Sequence, residues 1–138
     1  ISKAVKNKAK SAHEIARKLS QKEVRTLKQK IKDLEKSMGS AKKTIKTWKD
    51  TLTKEKKQLQ KDQRNLEAIK KTLRTAKHSR KKHRLERYQK VKKEVQRDKV
   101  HLKRIQTKYQ ESKEQYNKLR TSRDHVRNIL TRFKDNRH

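Results

Sequence analysis

The strongest constraint in this chain is the spacing of its few apolar residues. From Leu27 the residues Ile31, Leu34, Met38, Ala41, Ile45, Trp48, Leu52, Glu55, Leu59, Asp62, Leu66, Ile69, Leu73 and Ala76 follow at alternating steps of four and three. Of these fifteen slots thirteen are apolar, and Ala68 is the only apolar residue between Leu27 and Ala76 that falls outside them. An apolar residue every 3.5 positions on average makes the narrow seam of a coiled coil, not the broad face of a globular helix. Val24 extends the seam by one slot. A second series runs from Tyr88 through Val91, Val95, Asp98, Leu102, Ile105, Tyr109, Ser112, Tyr116, Leu119, Arg123, Val126, Leu130 and Phe133, with Val100 and Ile129 as its strays.

Composition closes off most other folds. One Gly, no Pro and 27% hydrophobic residues cannot supply the turns and two-sided apolar faces of a sandwich, barrel or doubly wound sheet. The expected class is therefore all-α. Disorder is the bland expectation for 44% charged residues, and the seam periodicity is what argues against it.

The two seams are out of phase, because continuing the first places a slot at residue 87 while the second has its equivalent at Tyr88. Between them lie Lys77, His78, Ser79, Arg80, Lys81, Lys82, His83 and Arg84, with no apolar member. Two readings compete: an exposed hairpin tip, or a straight helix absorbing a phase slip. Nearly equal arms favour a long antiparallel coiled-coil hairpin; the lack of Gly and Pro favours the extended, self-associating coiled coil. Folding the arms back predicts layers whose numbers sum to about 160 or 161. Ile31 then meets Leu130, Leu34 meets Val126, Leu52 meets Tyr109, Leu59 meets Leu102, Leu66 meets Val95 and Leu73 meets Tyr88. Trp48 falls opposite Ser112, and Asp62 shares a layer with Asp98, where a neighbouring Lys or Arg is expected to neutralise the pair. Glu55 with Ile105 and Met38 with Arg123 are the poorer matches.

The expected organisation is an additional N-terminal amphipathic helix over 1–23, a first arm over 24–76, a basic tip or phase slip over 77–84 and a second arm over 85–138. Gly39 followed by Ser40 offers an alternative break that would give a three-helix bundle. The seam passes it without a change of phase, so Gly39 reads as a weak point inside a continuous helix.

No catalytic constellation is visible, and no enzyme activity, cofactor or metal is expected. Cysteine is absent, and His78 and His83 are five apart, wrong for one helical face. Acid–acid pairs such as Asp33 with Glu35 read as charge partners of nearby lysines. No run is long and apolar enough to span a membrane, and no targeting segment gives a compartment.

What rises above background is charge: 46 Lys and Arg against 15 Asp and Glu, a formal net charge of +31. Solvated helices ordinarily mix both signs, so the excess points to a polyanionic partner. Nucleic acid leads, since counterion release supplies affinity without sequence recognition. The rivals are an acidic protein surface, and anionic glycans or membranes met by a secreted polycation. Arginine is concentrated in the second half of the chain, and its fork matches phosphate bidentately. The expected contact set is Arg80, Lys81, Lys82 and Arg84 at the tip with Arg87, Arg97, Arg104, Arg120 and Arg127 on the second arm. The three tyrosines and Trp48 sit in seam slots, which argues against base stacking.

Overall fold

In the computed structural model, which describes residues 20–136, two long helices pack against each other and no strand occurs among the described residues. Helix α1 spans Gln21–Arg74 and helix α2 spans His78–Asn136. The N-terminal amphipathic helix expected over 1–23 lies outside the described residues except for its last four, of which Gln21 to Glu23 begin α1. The start of α1 follows from local chemistry. Ser20 is its cap: the Ser20 hydroxyl accepts from the Glu23 backbone N–H at 3.2 Å, and the Ser20 carbonyl accepts from Val24 N–H at 3.0 Å. Glu23 in the first turn and Lys71 and Arg74 in the last turn complement the helix dipole.

Gly39 does not end α1. The helix continues through it with no positive φ, and a Cβ added there would meet nothing within 4 Å. The second cap suggested by Ser40 is therefore not used, and the three-helix alternative fails at this point.

Between the helices the connection is short, occupying Thr75 to Lys77, and His78 to Arg84 form the opening turns of α2. The Ala76 N–H donates to the Leu73 carbonyl at 3.4 Å and the Arg80 N–H to the Lys77 carbonyl at 3.0 Å. Arg84 secures the reversal from the far side, its Nη1 donating to the Thr72 carbonyl at 3.0 Å. A basic side chain placed on a late carbonyl of the preceding helix is a recognised way to satisfy a C-terminus that lacks Gly. Two seams, one phase break and no loop-forming residue thus resolve as a hairpin.

The described residues fall into two compact units. One comprises residues 20–42 and 114–136, the other Lys43–Lys113. In the first, Met38, Val126 and Leu130 are buried and Ile31, Leu34 and Leu119 half-buried. In the second, Ile69, Val91, Val95 and Ile105 are buried, with Ile105 the most enclosed at 3% exposure. Every slot of both series whose side chain is described is buried or half-buried, including the polar Glu55, Asp62, Asp98, Ser112 and Arg123. The strays are exposed: Ala68, Val100 at 55% and Ile129 at 36%. Spacing alone separated inside from outside, because a helix that buries only one stripe has no other way to hide these side chains.

Candidate nucleic-acid interface

The antiparallel register is visible in the polar contacts of each unit. In Lys43–Lys113 the carboxyls of Asp62 and Asp98 meet as the layer rule predicts, Glu55 Oε1 lies 3.8 Å from His101 Nε2, and Arg84 reaches Thr72. In the other unit Arg127 Nη2 lies 2.6 Å from Glu35 Oε1, and Lys42 Nζ sits 5.7 Å from the centre of the Tyr116 ring.

The expected neutralisation of the aspartate pair by Lys or Arg does not occur among the described residues. Asp98 instead carries its own solution: its pKa is pushed up from 3.8 to about 6, first by the hydrogen bond shared with Asp62, then by burial, then by the charges of Asp62, Glu55 and Glu94. Its Oδ2 is out of solvent without a hydrogen-bonded partner. On the facing side, Gln58 Nε2 donates to Asp62 Oδ1 at 3.0 Å and orients that carboxylate. Below about pH 6 a proton on Asp98 does what a cation was expected to do, while lysines beside a seam extend outward to water.

The two other poor layers also have local remedies. Glu55 leans toward His101 at the edge of the seam. Arg123 packs beside Met38, Gly39 and Tyr116 while its guanidinium bonds Asp124 Oδ1 at 3.1 and 3.2 Å. Ser112, the slot expected opposite Trp48, donates its hydroxyl proton to the Tyr109 carbonyl at 2.7 Å. Trp48, Tyr88, Tyr109 and Tyr116 are all half-buried in the seam.

Of the nine expected contact residues, Arg80, Lys81, Lys82, Arg87, Arg97, Arg104 and Arg120 are exposed on α2. Arg97 and Arg104 line one shallow surface hollow with Lys93, Gln96, Val100 and His101. Arg84 is half-buried on Thr72 and Arg127 is paired with Glu35, so both have donors committed inside the fold. The basic stretch at Arg80 to Lys82 sits in the opening turns of α2, whose first turn holds no acidic residue. Amino-terminal N–H groups and cations there add their positive potentials instead of cancelling.

Register also sorts the positive charge unequally between the two flanks of the seam. In Lys43–Lys113 the residue directly after every second slot lies on one flank of the seam: Lys49, Lys56, Gln63 and Lys70 on α1, and Lys92, Lys99, Gln106 and Lys113 on α2. Equivalent positions of antiparallel helices fall on the same side, so the two rows face one way. The flank holds six lysines and no acid. Across the seam, the residues directly before the alternate slots, from Ile45 on α1 and Tyr88 on α2, are Thr44, Thr51, Gln58, Asn65 and Thr72, with Arg87, Glu94, His101 and Lys108. That flank has two permanent cations and one acid. The lysine flank is legible one place past every second slot, but only once the pairing direction is known.

Among the described residues no group of three or more His, Asp or Glu is placed to hold a metal ion, and no helix is long and apolar enough to cross a membrane. No protein-family model, curated protein or solved structure matches the chain.

Proposed function

We propose that this chain is a non-enzymatic coiled-coil scaffold that binds nucleic acid through its phosphates without reading the bases. The observation that carries the proposal is the unbalanced charge: 46 cationic residues face 15 acids, and the close ion pairs of the described residues are four, one of them with histidine. Most of the lysines and arginines among the described residues therefore project into solvent with no acid to meet. A surface of this kind releases condensed counterions from a polyphosphate, which is the sequence-independent part of nucleic-acid affinity. The half-buried aromatics support backbone contact over stacking. Arg80, Lys81, Lys82, Arg87, Arg97, Arg104 and Arg120 supply the arginine-rich contacts, and Arg84 and Arg127 maintain the fold beneath them.

The test is binding of the purified chain to duplex DNA, structured RNA, heparin and anionic vesicles across a salt series, with helicity followed in parallel. Nucleic acid held at physiological salt, in preference to heparin, is the expected result. Equal binding to all polyanions with common release at moderate salt would refute the proposal and turn attention to an acidic protein or a charged surface.

A further inference from the structure

The lysine flank of Lys43–Lys113 lies outside the arginine set and differs from it in kind. Its charges are of one sign, repeat along both helices and have no acid among them. None of Lys49, Lys56, Lys70, Lys92, Lys99 and Lys113 forms an ion pair among the described residues. All are exposed except the half-buried Lys70, and Lys113 is steadied by the Tyr109 ring, with its Nζ 4.1 Å from the ring centre. We infer that these six lysines form a second phosphate-contact row, one that lies along duplex nucleic acid. The inference rests on the proposed function and adds a surface to it.

The spacing fits a duplex backbone. Seven residues of helix advance about 10.5 Å, and a duplex offers one phosphate charge per about 1.7 Å of axis. At that density of charge the contact requires no particular base sequence. The row from Lys49 to Lys70 covers about 32 Å of helix, or about nine base pairs. A protein partner fits this flank poorly, because protein interfaces are centred on aromatic or aliphatic anchors. No position of the row itself between Lys49 and Lys113 holds such an anchor; Val100, 55% exposed, stands singly beside Lys99 on the outer face, and Leu85, 43% exposed, continues the α2 row only at the turn. Single strands are disfavoured for want of an exposed aromatic platform.

The experiment compares two variants of the full chain with equal loss of charge. In the first the six flank lysines become Gln; in the second Lys43, Lys54, Lys57, Lys61, Lys71 and Lys90, which are exposed on other faces, become Gln. Binding to a mixed-sequence DNA duplex is followed by anisotropy from 50 to 300 mM salt, with helicity confirming that each variant folds. Six phosphate contacts contribute about 5 to the slope of log affinity against log salt. The flank variant should lose about that much and the second variant less than about 2, while a six-fold Lys→Arg flank variant keeps the slope. Equal losses in the two Gln variants would overturn the flank and leave phosphate binding standing. A wild-type chain that does not bind duplex would overturn the proposed function, and the flank with it. If the flank variant keeps duplex affinity and loses only poly-glutamate binding, the surface belongs to an acidic protein and the inference fails.

Discussion

Replacing Asp98 by Asn should stabilise the fold at neutral pH, which is unusual for a polar residue in a packed layer. At pH 7 Asp98 is largely ionised beside Asp62, and one oxygen of Asp98 is out of solvent with no partner. Raising a carboxyl from 3.8 to about 6 corresponds to about 3 kcal/mol at about 1.4 kcal/mol per pH unit. Asp98 is only half-buried, so water and salt screen the repulsion and about 1 kcal/mol remains. The sign follows from linkage: the folded state holds the Asp98 proton more tightly than the unfolded chain. The stabilisation is therefore full below about pH 4 and is lost as pH rises through about 6. Thermal unfolding followed by circular dichroism from pH 4 to 8 at fixed ionic strength reads this directly. Asp98→Asn should melt a few degrees above wild type at pH 7, about 4 °C, and the gap should close toward pH 4. Protonation of other carboxylates raises the net charge and destabilises both proteins alike, so the difference between them isolates the pair. A gap that does not change with pH, or an Asn variant that melts lower at pH 7, would refute the reasoning.

Ile105→Ala removes the most enclosed side chain of the Lys43–Lys113 unit and should cost about 2 to 5 kcal/mol in chemical denaturation. Val100→Ala, on the same helix but 55% exposed, should change stability by less than about 0.5 kcal/mol. Gly39→Ala should stabilise by about 1 kcal/mol, because the backbone is helical and the new methyl meets nothing; an unchanged midpoint would show that the helix gains nothing there. Ser20→Ala should lower stability by about 1 kcal/mol through loss of the cap on the Glu23 N–H, read as fraying of the first turns of α1 in amide exchange.

Which side chains lie inside follows from their spacing alone. A two-valued spacing of four and three leaves one stripe per helix, and burial follows that stripe even where Asp62, Asp98 or Arg123 occupies it, since position on a helix fixes direction whatever the side chain. The excess of positive charge was equally legible, because it is a count. Pairing direction was not. Two out-of-phase seams fit a straight helix as well as a reversal, and only the tertiary structure, with Arg84 on the Thr72 carbonyl and Asp98 against Asp62, decided for the reversal. From that decision follow the features a linear reading treats as uniform: Arg127 is drawn into a pair with Glu35, 92 positions away, and six lysines gather on one flank opposite a row of threonines and amides. Local periodicity fixes the direction of each side chain from its own helix, but which charges become neighbours depends on how a second helix is laid beside the first.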